Sequence, residues 1–150
     1  MARQIIFGVL GVVLGTVAGM IVMMSLHMAS TLVYALPEGV SFMSQEPENL
    51  SRLQEWFGTL PAAAFLLATA CHGLGCMSGA CVAMLVSGRR SLTPPLVVGA
   101  FFTWCGFSNL AAIPHPSWFP FVDLPVYLVL ALAAGLLLQR KSDDERPPTT

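Results

Sequence analysis

Four long apolar stretches divide the chain, and shorter polar stretches separate them. Residues 5–26, 60–86, 96–113 and 121–138 each run for 18 residues or more with almost no formal charge. A helix needs about 20 apolar residues to cross the hydrocarbon core of a bilayer, and runs of 18 or more are candidates. The pattern therefore predicts an all-α membrane protein, in which residues 1–138 form one bundle of four transmembrane helices.

The first apolar stretch has a second interpretation, because Arg3 precedes it as in a cleaved signal peptide. The apolar core of a signal peptide runs for about 7–15 residues and is followed by a small-residue cleavage site. This stretch has 22 residues, and residues 27–30 contain no A-x-A pattern. We expect it to remain as the first spanning helix.

Basic residues are distributed unequally between the two sides of the predicted bundle, which predicts its orientation. Short cytoplasmic loops are enriched in Lys and Arg. Arg52 is the one basic residue in the loops at 27–59 and 114–120, so these loops are expected outside. The cytoplasmic side then holds both termini and the 87–95 loop, with Arg3, Arg89, Arg90, Arg140, Lys141 and Arg146.

The polar stretches differ in their expected structure. After Pro47, the apolar residues Leu50, Leu53 and Phe57 follow helical spacing, which predicts a short amphipathic helix in the first outer loop, ending near Gly58. Residues 139–150 contain charges, two prolines and no large apolar side chain, so they are predicted to form a disordered cytoplasmic tail.

Composition supports lipid as the main environment and argues against nucleic acid as a partner. The chain is 55% hydrophobic and 10% charged, with a formal net charge of -1. A nucleic-acid-binding protein needs a basic face, and the few basic residues here are scattered over the predicted membrane boundaries.

Small residues recur along the predicted helices at spacings that place them on one face. In membranes, such faces let helix backbones approach closely. We expect close helix packing at these positions, and one face could instead bind a second copy of the chain or a larger membrane partner. The glycines concerned are Gly8, Gly11, Gly15 and Gly19 in the first helix, Gly75 and Gly79 in the second, and Gly135 in the fourth.

Two ionisable residues lie inside the predicted spans. His72 shares a helix face with Gly75 and Gly79, so it is expected to point inward near the middle of the bilayer, where a carbonyl or hydroxyl group could satisfy it. Asp123 begins the fourth span and shares a face with Tyr127, so it could cap that helix or pair with another helix. Ionisable groups within a membrane are candidates for function by default.

A candidate polar site collects in the outer part of the predicted bundle. It could bind a metal ion, a proton or a small polar ligand, or it could be a hydrogen-bond network that fixes the loops. No paired-histidine metal motif is present, so no metal or other cofactor is predicted. The residues are His27, Glu38, Asn109, His115 and Asp123 in the outer third, together with His72 near the middle of its span.

The cysteines and the known catalytic motifs add little to this picture. Cys71, Cys76, Cys81 and Cys105 lie within predicted spans and form no C-x-x-C, so they are expected to be inert apolar side chains. His72 and Cys76, four residues apart, could still hold a metal ion or face a haem. No nucleophile elbow or phosphate-binding loop occurs, so an enzyme is not predicted.

Residues 109–119 read N-L-x-x-I-P-H-P-x-W-F and are followed by D-L-x-x-Y at 123–127. With H-G-L-G at 72–75 and L-P-E-G at 36–39, this stretch resembles a group of small, uncharacterised bacterial membrane proteins. The resemblance implies a four-helix protein of the bacterial inner membrane and brings no activity with it.

Three functions therefore stay open at the level of sequence. The favoured hypothesis is a non-enzymatic packing, accessory or oligomeric membrane component. The second is a small transporter or permeation module with a polar site in its outer half. The third is a membrane protein that binds a metal or cofactor.

Overall fold

A computed structural model describes residues 2–88, 91–113 and 115–144. The described chain forms five helices and contains no strand. The helices are α1 (Ala2–Ser30), α2 (Pro47–Thr59), α3 (Ala62–Ser87), α4 (Thr93–Ala112) and α5 (Phe119–Asp144). All except α2 are long and apolar enough to cross a membrane, so the chain is a multi-pass membrane protein with the predicted helical bundle.

Local sequence accounts for where several of these helices begin and end. Pro47 stands in the first turn of α2, and Pro94 and Pro95 stand in the first turn of α4, where a missing N–H group costs nothing. Gly88 follows α3 with a φ of 83°, a left-handed conformation that other residues adopt at a cost. The short amphipathic helix α2 occupies nearly the range that its apolar spacing predicted.

The end of α5 differs from the sequence prediction. Residues 139–144 belong to α5, whereas the sequence predicted a disordered tail from residue 139. Nothing between Gln139 and Asp144 breaks a helix, and each added residue gains one backbone hydrogen bond at little cost. Residues 145–150 of the predicted tail, and the Arg89–Arg90 pair of the predicted cytoplasmic loop, lie outside the described residues.

The closest helix contact joins α1 to α3 through small residues. A methyl group on Gly15 would lie 2.5 Å from the carbonyl oxygen of Gly79, and one on Gly79 would lie 2.6 Å from that of Gly15. Gly19 faces Gly75 in the same way, with 2.9 Å between the added methyl group and the Gly75 oxygen. Only glycine permits this backbone approach, as the sequence predicted for these four positions.

Gly8 does not take part in this contact, although the sequence placed it in the same stripe. No atom lies within 4 Å of a methyl group added there. Gly11, one turn later, already faces Ala83 and Ser87, and Ser87 is the last residue of α3. Gly8 therefore lies beyond the end of the helix that it was expected to contact.

The remaining helices close the bundle around a core of small and aromatic side chains. A methyl group on Gly135 of α5 would lie 2.9 Å from Leu92 and 3.1 Å from Pro95, beside the start of α4. Gly99 of α4 approaches Ala131 of α5 in the same manner. The buried core cluster comprises Cys76, Ala80, Ala83, Val98, Phe102, Tyr127, Ala131 and Ala134.

A structured segment covers one end of the bundle. The side-chain amide of Asn49 accepts a hydrogen bond from the Ser41 backbone N–H and donates to the carbonyl oxygens of Ser41 and Ser44. Arg52 donates to the Glu38 carbonyl oxygen at 2.7 Å. These bonds fix the loop to α2, and we call residues 31–59 the cap. It lies where α1 and α4 end and α3 and α5 begin.

Candidate functional site

A buried contact between an imidazole and a carboxyl group connects α3 and α5 inside the bundle. Nδ1 of His72 lies 2.7 Å from Oδ1 of Asp123. Asp123 is 1% exposed and His72 is 8% exposed. A carboxylate is costly to bury in an apolar medium, so this close partner is what makes its position tolerable.

Tyr127 completes the group around the carboxylate. Its hydroxyl donates to Oδ2 of Asp123 at 3.3 Å, and its ring stacks on His72 with 5.6 Å between centroids. The thiol of Cys76 donates to the Tyr127 carbonyl oxygen at 3.3 Å. Both carboxylate oxygens therefore have a partner, and both helices contribute two side chains.

Helical spacing explains how the sequence brings these groups together. Asp123 and Tyr127 are four residues apart on α5, and His72 and Cys76 are four residues apart on α3, so each pair shares one face. Of the two roles left open for Asp123, pairing with another helix is the one observed. Because α5 begins at Phe119, Asp123 lies in the second turn and cannot be its cap.

His72 and Asp123 lie close enough in depth for their side chains to meet, which the sequence did not predict. His72 lies about 15 Å along α3 from Ala62, at 1.5 Å per residue. Asp123 lies only four residues from the start of α5, but that start is not level with the start of α3. Phe119 packs against Phe65, with 5.5 Å between ring centroids. α5 therefore begins one turn deeper, and the two side chains meet.

His72 also borders a cavity of about 430 Å³ that lies under the cap. Its walls come from the end of α1, the cap, the first half of α3 and the end of α4. The apolar part includes Phe42, Trp56 and Phe57, and the polar part includes His27, His72 and Asn109. Pockets of this size and composition are typical of small-molecule sites.

His27 is the second imidazole at the base of this cavity. Its ring centroid lies 4.9 Å from that of His72, with the rings tilted by 58°. His27 stands in the last turn of α1, so the cavity places residues from three helices beside the buried pair. Of the candidate site residues, the structure brings His27, His72 and Asp123 together, and Asn109 borders the same cavity from α4.

Glu38 does not belong to this site, contrary to the sequence prediction. Its side chain is exposed, and the cavity is lined by other residues. Glu38 precedes Gly39, whose φ of 75° forms a turn at the surface of the cap. The turn directs the carboxylate to solvent, where hydration is favourable, and only its backbone carbonyl bonds within the cap.

His115 is also separate from the buried pair. Its ring stacks on Phe119 with centroids 4.9 Å apart, and Phe57 and Phe65 pack around it. Nδ1 donates to the Ile113 carbonyl oxygen at 2.6 Å. Partial burial among these rings lowers the pKa of His115, and the bond to Ile113 opposes that shift. The residue fixes the loop before α5 and borders a smaller cavity of about 230 Å³.

One buried hydroxyl near the pair has no partner. Oγ1 of Thr69 is buried and makes no hydrogen bond within the described chain. Thr69 precedes His72 by three residues and Cys76 by seven, so it lies on the same face of α3. Burying a hydroxyl group without a hydrogen-bond partner lowers stability by about 1–3 kcal/mol. A further polar group that bonds to Thr69 would therefore be favourable on this face.

Few side chains of the described residues are placed to bind a metal ion together. Across residues 2–88, 91–113 and 115–144, no three His, Cys, Asp or Glu side chains are arranged to hold a metal ion. The four cysteines are free, and Cys76, which could have completed a pair with His72, bonds to a backbone carbonyl.

Comparison with known proteins identifies no relative of this chain. No family model, curated protein or solved structure matches the chain. The resemblance of residues 109–127 to small bacterial membrane proteins therefore stays a prediction. The geometry of the cavity and of the buried pair carries the functional argument.

Sequence reasoning missed two parts of the site. Tyr127 was placed on the face of Asp123 but not among the site residues, although its spacing of four was the signal that could have included it. The aromatic wall of the cavity was not foreseen, because Trp56 and Phe57 fit a membrane-interface belt equally well. Their contribution depends on how the cap folds back over the helices.

Proposed function

We propose that this protein is a small transport or permeation module of the bacterial inner membrane. Its site is the cavity under the cap together with the His72–Asp123 pair, and binding there involves a proton. The observation that carries the proposal is that one residue, His72, both borders a cavity of about 430 Å³ and bonds to a carboxylate buried between spanning helices.

The charge of the pair supports a role for a proton. With one proton on Nε2 of His72 and a second proton between Nδ1 and the Asp123 carboxylate, the pair is electrically neutral as a whole. Adding a proton or removing one leaves a net charge inside the bundle, which is expensive in a membrane. Binding of a ligand beside His72 that changes the net charge of the pair is therefore coupled to the gain or loss of a proton. The other titratable groups close by are His27 from α1, Cys76 from α3 and Tyr127 from α5.

Pro125 supports the idea that α5 can change shape near the pair. It lies inside α5, between Asp123 and Tyr127. Proline removes one backbone hydrogen bond and crowds the carbonyl four residues earlier, so it favours a bend. Irregular backbone of this kind in a membrane helix is tolerated where neighbouring helices or a cavity compensate for it.

The competing proposal is a non-enzymatic accessory or oligomeric component. The sequence argument for that proposal was the glycine stripe of the first helix. In the structure, this stripe packs against α3 of the same chain. An oligomer would therefore need another face, such as the one on α4 where Trp104 is 69% exposed. A metal- or cofactor-binding role has two imidazoles in its favour but lacks a third donor among the described residues.

The proposal assigns no catalytic step to the pair. A histidine held by a carboxylate is also part of nucleophilic catalytic sites, where the imidazole bonds to a Ser or Cys nucleophile. Within the described chain, His72 bonds to Asp123 and to no hydroxyl or thiol.

Proton flux in proteoliposomes tests the proposal. The vesicles contain a pH-sensitive dye, and a potassium gradient with valinomycin imposes a membrane potential. We expect the parent protein to carry protons above the level of protein-free vesicles, and His72→Ala and Asp123→Asn to fall to that level. Cys105→Ser changes an exposed residue of α4 and serves as the matched control.

Circular dichroism and size exclusion establish that each variant is folded before its flux is compared. A parent protein that carries no more protons than empty vesicles contradicts the proposal. So does unchanged flux in both folded variants.

A further inference from the structure

The walls of the cavity under the cap indicate which class of molecule it would bind. Among the described residues that line it, none is Lys, Arg, Asp or Glu. Its apolar side is formed by aromatic rings, with Trp56 in edge contact with Phe42 at 6.0 Å and with Phe57 at 5.3 Å between centroids. Its polar groups are hydroxyls, the imidazoles of His27 and His72, and the side-chain amides of Gln45, Gln54 and Asn109.

An anionic ligand meets no Lys or Arg side chain among the described residues that line this cavity, and the His72 imidazole is already bonded to Asp123. Arg52, the basic residue of the cap, donates to the Glu38 carbonyl and does not line the cavity. Bringing a carboxylate or phosphate under the cap would remove its hydration without a compensating charge, which costs several kcal/mol.

A cationic ligand has no available carboxylate. Asp123 is 1% exposed, and its two oxygens are taken by His72 and Tyr127. The aromatic rings alone would supply cation–π contacts, whose contribution is about 0.5–2 kcal/mol, and that is little against the desolvation of a full charge.

We infer that the cavity binds an uncharged amphipathic molecule, with an aromatic or other flat apolar part against Phe42, Trp56 and Phe57 and a hydrogen-bonding end beside His27, His72 and Asn109. This inference rests on the proposed function and names the ligand class of the same site. The volume of about 430 Å³ falls within the range of small-molecule pockets.

Three probes with the same naphthalene ring, similar size and different charge test this class. They are 2-naphthamide, 2-naphthoate and 2-naphthylmethylammonium, which are neutral, anionic and cationic at pH 7.5. Binding is measured by equilibrium dialysis against the protein in nanodiscs, with protein-free nanodiscs subtracted. We expect saturable binding of the amide and binding at least about tenfold weaker for both charged probes, since a buried uncompensated charge is costly.

Two variants locate the bound probe. Trp56→Ala removes part of the aromatic wall from α2, and Ala68→Phe fills the cavity from α3. Both should weaken binding of the amide by about tenfold or more, equivalent to about 1.4 kcal/mol. Trp104→Ala, on the exposed face of α4, should bind as the parent does. Ala68→Phe keeps the test informative if removal of Trp56 disturbs the cap.

Each outcome of the dialysis bears on the inference. Equal or tighter binding of the anion or the cation overturns the uncharged class. Lack of saturable binding by the amide, or unchanged binding in both cavity variants, overturns the site. Equilibrium dialysis measures binding and does not depend on flux. Selective binding of the amide together with an absence of proton flux would therefore support the ligand class and contradict the transport proposal.

Discussion

At the scale of single residues, the carboxyl group of Asp123 is costly to bury, and both of its oxygens have hydrogen-bond partners. Its carboxylate lies between spanning helices, where an unpaired charge is expensive, and one histidine and one tyrosine bond to its two oxygens. The two bonds differ in length, 2.7 Å to His72 and 3.3 Å to Tyr127. The shorter bond, to a group that can itself be charged, is expected to contribute more.

This difference predicts unequal losses of stability. Asp123→Ala leaves His72 buried without its partner and should lower the free energy of unfolding by about 3 kcal/mol. Tyr127→Phe removes only the longer bond and should cost about 0.6 kcal/mol, the average for hydrogen bonds between membrane helices. Unfolding by added sodium dodecyl sulfate in mixed micelles, followed by circular dichroism, gives both values. Equal losses would mean that the His72 contact adds nothing beyond an ordinary hydrogen bond.

At the scale of elements, the contact between α1 and α3 holds the first helix in the bundle. α1 is apolar all round, and lipid is as favourable a neighbour for its large side chains as another helix would be. What fixes its position is the close backbone approach at Gly15 and Gly79, which gains dispersion contacts that lipid does not provide. The stability of this contact therefore depends on the absence of a few methyl groups.

Alanine substitutions along α1 test this dependence within one helix. In Gly15→Ala the new methyl group would meet the Gly79 carbonyl oxygen at 2.5 Å, so the helices must separate at a cost of about 1–3 kcal/mol. In Gly8→Ala it meets no atom within 4 Å, and alanine favours a helix more than glycine does. Thermal unfolding in micelles should show a clear loss for the first variant only. A similar loss for Gly8→Ala would contradict the assignment of Gly8 to the free end of α1.

At the scale of the whole molecule, the two ends of the bundle are chemically different. One end holds the cap, the cavity and the His72–Asp123 pair. Arg3 near the start of α1 and Arg140 near the end of α5 lie at the other end, which the positive-inside rule predicts to be cytoplasmic. This orientation places the cavity in the outer half of the bundle, where the sequence predicts the polar site.

Reporter fusions test that orientation. A fluorescent protein fused to the C-terminus should fluoresce and alkaline phosphatase at the same position should be inactive, since the C-terminus is predicted to be cytoplasmic. Alkaline phosphatase inserted after Met43, which is 75% exposed in the cap, should be active. The reverse pattern would place the cavity on the cytoplasmic side and would contradict the orientation predicted from the basic residues.

The sequence by itself determined the elements, because apolar length, helical spacing and proline position act locally. It predicted the four long helices, the start of α2 at Pro47, and the small-residue face from Gly11 to Gly19. Only the tertiary structure decided which polar residues share a site, because that depends on the relative depth and rotation of helices distant in sequence. The deeper start of α5 brings Asp123 to His72, the cap folds its aromatic rings over them, and the surface turn at Gly39 and the rings around His115 keep Glu38 and His115 apart from the pair.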